Sequence, residues 1–451
     1  MTPAASITGG MAARLMQDQS HSDAVYEKAA LCLTDFFSGA FEAAPLEWSR
    51  QAAAIGVPMV DGAALIAGKG LFVPANAAFG NAVAAHGLVR EDMHTGSVAH
   101  LGVVVWPALV AALAQTDAPV SGRDFLAAGI AGYEVGGRIG TALMTPELGR
   151  LFRPTGIAGP FASATACGVL HGLDAGQMQT ALGIAANCTG GFNEWPHSGG
   201  SEMYFHAGFA AQNGMAAAQL AAQGAFAAPS ILEGEAGLFR AIGRVAPPDA
   251  IPLYPDEDHV ITSVFHKQAP ACNYAQTPCQ AALAAALKYV GPVSDISAIR
   301  VHITDAARMY PGCDHTGPYG TVLQAKMSIQ YSVAAAIAEG QIAETNYARI
   351  GDAEVDHLIG LITLQVDPDH TAAYPARQAA SVAIETRNGA VFTATLDDIQ
   401  TAGPDEIHDR FQRSARAWLG DARADLLVAF VDEIRNCDDV RALNVLCIPA
   451  T

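Results

Sequence analysis

Residues 101–114 carry no charge and are interrupted only by Pro107, and they are not an isolated case. Segments 77–88 and 158–173 are equally uncharged, and 124–143 holds only Asp124, Glu134 and Arg138. Ala, Leu and Val at helical spacing predict helices over all four, because Ala is the best helix former and its small side chain lets helices approach closely. A helix without a polar face has nothing to present to water. Such helices are confined to the centre of a bundle or to a subunit contact.

The whole chain shares this character. Hydrophobic residues make up 51% and charged residues 15%, against roughly 25% charged in an ordinary soluble domain. This excludes a disordered chain, and 451 residues allow two or three domains at about 150 residues each. The 25 basic and 44 acidic side chains leave a net charge of −19. That balance repels phosphate backbones, anionic membranes and acidic substrates, so nucleic-acid and membrane partners are not expected. A site for a multiply charged anion has to gather the few cations locally. The run 101–114 is too short to span a bilayer, and no basic segment followed by a continuous apolar run opens the chain. Eight scattered cysteines without a CxxC pair read as reduced thiols of a cytoplasmic protein, with no zinc site.

Helical patterns also cover 11–37 and 53–67, and the helical texture persists to about 260. Then 299–303, 361–366, 381–386 and 391–395 alternate as strands, with Asn388-Gly389 marking a hairpin between the last two. Helical runs at 277–290 and 328–339 lie among them, and helix returns over 406–435. The expected architecture has two domains. A large all-helical domain is built from both chain ends (1–264 and 400–451), and a smaller α+β domain (265–399) is inserted in it.

The chemistry-bearing residues fall in a few segments. His86, Arg90, Glu91, Asp92, His94 and His100 crowd a short stretch between two apolar helices. His94 and His100 suit acid–base work near neutral pH, and Asp92 suits orienting one of them or taking a proton itself. The absence of a His pair at i, i+4 speaks against a metal site. Arg153-Pro154-Thr155-Gly156 opens a small-residue helix, where backbone N–H groups and a guanidinium can meet a carboxylate. His206 reads as a satisfied structural histidine. Lys267, beside Phe265 and Ala269 at the expected domain junction, is placed for partial desolvation, with Cys272 nearby. Ser328 reads as a helix N-cap, and Tyr331 as a core residue or a hydrogen-bond donor to a ligand. There is no P-loop, dinucleotide fingerprint, HExxH or GxSxG elbow.

In this order, several segments resemble the MmgE/PrpD family. They are Ala84-Ala85-His86 with Glu91-Asp92 and His100, Gly132-Tyr133-Glu134-Val135 with Arg138, and Pro154-Thr155-Gly156. His206-Ala207-Gly208 with Asn213-Gly214, Leu232-Glu233-Gly234, Phe265 to Cys272 with Lys267, and Ala325-Lys326-Met327-Ser328 with Tyr331 complete the set. The resemblance implies a homodimer with an active site in the cleft between the two domains. It also implies action on a small polycarboxylate without a cofactor, as in 2-methylcitrate dehydration, cis-aconitate decarboxylation and iminodisuccinate epimerisation. The chain departs from the dehydratase and decarboxylase pattern at Val89-Arg90, where an Asp–aromatic pair usually stands. It departs again at Arg153 and Cys272, each replacing a His, and at Met203, replacing a Lys. The leading expectation is therefore a cofactor-independent epimerase of an iminodisuccinate-like amino-polycarboxylate. Lys267 with His94, His100 or Asp92 would exchange a carbon-bound proton, while Arg153, Arg90, Thr155 and Tyr331 would bind substrate. The alternatives are a lyase of the dehydratase or decarboxylase type and a non-catalytic, carboxylate-binding helical dimer.

Overall fold

The computed structural model describes residues 6–17 and 20–450. The uncharged segments fold as helices Pro74–Ala85, Gly102–Ala112, Gly122–Leu143 and Pro154–Leu170, with Glu202–Ala222 beside them. Every residue of Gly102–Ala112 is buried, as is Pro154–Leu170 through Gly168. Close approach depends on missing side chains. A Cβ on Gly214 would stand 1.9 Å from Ser163 Oγ and 2.4 Å from the Pro160 carbonyl oxygen. The stretch 11–37 forms two helices, Ile7–Leu15 and Asp23–Ala43.

The helix expected over 53–67 is not there. Helix Glu47–Ala54 stops, and the chain turns into strand β1 (Pro58–Leu65), antiparallel to β2 (Gly70–Phe72). Pro58 lacks an N–H and excludes helical geometry from the residue before it, which outweighs the apolar spacing.

Two apolar cores result. The first joins the long helices and includes Phe411, Ala415, Leu427 and Val431 from the chain's C-terminal part. Helix Pro404–Leu419 lies along Asp23–Ala43, with the Phe411 ring stacked on Phe37 at 5.8 Å and the Trp418 indole N–H bonded to the Ile66 carbonyl. The second core surrounds a mixed sheet in the order β6-β5-β7-β8, made of β5 (Ile296–Ile303), β6 (Ile362–Val366), β7 (Ala380–Thr386) and β8 (Val391–Leu396). Strand β6 runs parallel to β5, and the other neighbours are antiparallel. Burial alternates along β5 and β7, and helices Gln276–Ala286 and Ile329–Glu339 complete that core. The hairpin turn lies at Asn388-Gly389, with Gly389 at φ +84°. No described helix is long and apolar enough to cross a membrane.

The cores meet along a two-residue ladder, β3 (Asp92–Met93) against β4 (Phe265–His266), with Asp92 opposite His266. Arg410, on the C-terminal helix, donates to the Lys267 and Gln268 carbonyls and holds this strand from behind.

Candidate active site

The ladder sorts neighbouring residues to opposite sides, because side chains alternate along a strand. Asp92 and His266 face the helical core. The Tyr133 hydroxyl and the Gly102 N–H donate to Asp92, while His266 Nδ1 sits 2.9 Å from Asp35. Burial pushes the Asp92 carboxyl up to about 6. Glu91 and Lys267 face the other way, with Lys267 Nζ 3.9 Å from Glu91 Oε1.

Glu91 anchors that side. Its Oε1 lies 2.7 Å from His86 Nδ1 and 3.1 Å from His100 Nδ1. Burial alone would raise its pKa. Its neighbours His86, Lys267 and His100 instead hold it well below the usual carboxylate range. Burial keeps both histidines from charging, so the cation answering Glu91 is Lys267. His100 Nδ1 is also 3.0 Å from the Asp92 carbonyl oxygen, which can only accept, so Nδ1 carries the proton and Nε2 is left as a base. Arg153 Nη2 donates to His86 Nε2 at 2.9 Å, and its buried Nε has no partner among the described residues. The order is therefore Arg153 to His86 to Glu91, with His100 and Lys267 on the same carboxylate oxygen.

Backbone strain shapes this wall. Val89 and Val98, both β-branched, adopt φ of +59° and +52°. Such conformations cost about 1–3 kcal/mol each and persist only where surroundings impose them. Two fully buried lysines supply part of that constraint. Lys326 donates to the Leu88 carbonyl at 2.8 Å and Lys267 to the Val89 carbonyl at 3.1 Å.

His100, Arg153, Lys267 and Cys272 line one small, narrow chamber together with Met203, Trp195 and Met327. Val98, Tyr274 and Tyr310 line both this chamber and a larger outer cleft of about 470 Å³, and so form the partition between them. Burial lowers the Lys267 pKa while Glu91 opposes the change, which brings the amine nearer the range where it can give and take a proton.

Three expected residues, Lys267, His100 and Arg153, thus share the chamber. The others stand elsewhere. Asp92 is on the far side of its strand. His94, held neutral by burial with its pKa lowered to about 4, bonds Ser97 and lines a separate cavity beside Phe265 and Asp398. Arg90 turns outward onto Glu42 at 2.6 Å. Tyr331 is a core residue whose hydroxyl donates to the Asn346 carbonyl. Thr155 accepts from the His100 N–H and so positions that residue without lining the chamber. His206, read as satisfied, has a buried Nδ1 with no partner among the described residues. Sequence reasoning gave no role to Glu91, His86 or Tyr310. The first two lay inside the cluster it singled out, and the signal available was a Glu flanking Asp92 where charge is scarce.

The model of the MmgE/PrpD N-terminal domain matches residues 12–250, and that of the MmgE/PrpD C-terminal domain matches 269–431. The chain belongs to the MmgE/PrpD family. A cis-aconitate decarboxylase of Aspergillus terreus is 26% identical over 414 residues, 86% of this chain and 83% of that protein. A cis-aconitate decarboxylase-like protein of Aspergillus oryzae is 32% identical over 208 residues, 44% of this chain and 43% of its own length. The MmgE/PrpD boundary at 250–269 falls just ahead of and across β4, the strand that carries Lys267 to the chamber.

Proposed function

We propose that this protein is a cofactor-independent epimerase of a small amino-polycarboxylate of the iminodisuccinate type. The observation that carries the reading is the meeting of Lys267, His100 and Arg153 in one buried chamber of a chain with net charge −19. A hydrogen α to a carboxylate is a weak acid. It leaves only if the developing enolate charge is held and a base is close. The Arg153 guanidinium, with an unpartnered Nε, suits the carboxylate and its enolate form. Lys267 and His100 both lean on Glu91 Oε1, so they form a single wall on which one gives or takes the proton.

Decarboxylation or dehydration is the second reading, favoured by the decarboxylase relatives. Against it stand Arg153, Met203 and Cys272, the positions at which this sequence departs from the lyase pattern that the resemblance implies. We further propose an α+β domain inserted into a helical domain of both chain ends, supported by the packing of Phe411 on Phe37. A homodimeric, cytoplasmic protein completes the proposal. The test is a chirally resolved iminodisuccinate-type substrate in heavy water. Inversion with deuterium entering the α position is expected. Inversion without deuterium, or alkene and carbon dioxide as the products, overturns the reading.

A further inference from the structure

An epimerase needs a second proton-exchanging group, and the Lys267–His100 wall supplies one side only. Cys272 lines the same chamber but comes from the second core. It caps the short helical turn Asn273–Ala275, which leads into helix Gln276–Ala286. Cys313 Sγ lies 3.6 Å from its sulfur, within reach of an S–H···S hydrogen bond. Lys267 and Arg153 line the same chamber, and their charges favour a negative sulfur. S–H donors and nearby cations are features that turn a thiol into a thiolate. Burial opposes this, but the Cys313 contact and the two cations prevail, and the pKa of Cys313 rises as that of its neighbour falls. The unpartnered Nε of buried Arg153 in the same chamber marks a place for an anion beside the sulfur.

We propose that the Cys272 thiolate is the second catalytic group, exchanging the α-proton on the face opposite Lys267, with the Cys313 S–H positioning it. The proposal rests on the epimerase reading above. In one direction the C–H bond breaks, its proton forms the Cys272 S–H, and the electron pair moves into the carboxylate as an enolate held by Arg153. The Lys267 ammonium then loses a proton, and a new C–H bond forms on the other face. The enzyme, left as thiol and amine, resets by proton exchange with water or by turning over the opposite epimer.

Charge-selective alkylation of the native protein tests this without a substrate. A lone thiolate repels iodoacetate relative to neutral iodoacetamide, whereas a thiolate between Lys267 and Arg153 attracts it. After brief labelling and peptide mapping, Cys272 is expected to react with iodoacetate at least tenfold faster than half-buried Cys188 and Cys437, and to prefer it over iodoacetamide. Arg153→Gln should abolish the preference, and Cys313→Ala should slow the labelling severalfold. Labelling no faster than at Cys188, or without preference for the anion, overturns the thiolate assignment even if epimerisation is found. In the turnover assay, Cys272→Ser should lose inversion yet still wash deuterium into one epimer. Undiminished inversion in that variant overturns the proposal and leaves the epimerase reading intact. Selective labelling in a protein that performs no inversion overturns the epimerase reading and the catalytic role of Cys272, and leaves the activated thiolate standing.

Discussion

Replacing Glu91 by Gln should be among the most damaging isosteric changes in the molecule. At 3.9 Å and an effective dielectric constant near 20, the Lys267–Glu91 attraction is about 4 kcal/mol. A hydrogen bond to a charged acceptor contributes about 1.5–3 kcal/mol, and Glu91 Oε1 accepts one from His86. Gln keeps one acceptor and is cheaper to bury, so the net loss should be about 3–5 kcal/mol, the usual cost of stripping a buried ion of its partner. The assay is urea unfolding at fixed protein concentration for wild type, Glu91→Gln, Lys267→Met and the double variant. The double variant should recover 1–3 kcal/mol relative to additivity, because Lys267→Met removes the charge left unanswered. Glu91 is held below its ordinary value of 4.5, so its stabilisation is complete above that pH and is lost as pH falls toward the folded value. His86 and His100, kept neutral by burial, add to the loss, since below about 6.5 protonation favours the unfolded chain. A loss under about 1 kcal/mol at pH 7 with strictly additive variants would refute Glu91 as the anchor.

Three further outcomes follow from particular contacts. Asp92 is raised to about 6, so the folded state holds its proton longer than the unfolded chain, and stability should decline between pH 4 and 6. Asp92→Asn should flatten that decline in urea titrations while leaving Cys272 alkylation unchanged. A Cβ on Gly156 would stand 2.0 Å from the Gly190 carbonyl oxygen, so Gly156→Ala should destabilise by about 1–3 kcal/mol and shift the Arg153 loop. An unchanged thermal midpoint would contradict that packing. Arg153→Gln should weaken binding of succinate, used as a dicarboxylate probe, at least tenfold by calorimetry, and equal affinity would remove Arg153 from carboxylate recognition.

Much was legible in advance where one local rule acted alone. The uncharged segments had to be central helices, and Asn388-Gly389 had to turn a hairpin, because left-handed backbone at Gly389 costs nothing. The scarcity of cations made Arg153 and Lys267 conspicuous. Where two local rules compete, the sequence does not rank them: apolar spacing favours helix over 53–67, yet Pro58 and the pairing of β1 with β2 prevail.

Composition and spacing thus determined the helical bulk, the second core and the short stretch in which the site residues lie. They could not determine which of two adjacent acids meets Lys267. That choice belongs to one long-range pairing, Asp92 opposite His266, which turns Glu91 and Lys267 to one side and their neighbours to the other. A strand alternates its side chains every residue, so sliding that contact by a single position would have exchanged Glu91 for Asp92, and no local pattern in the chain records the register.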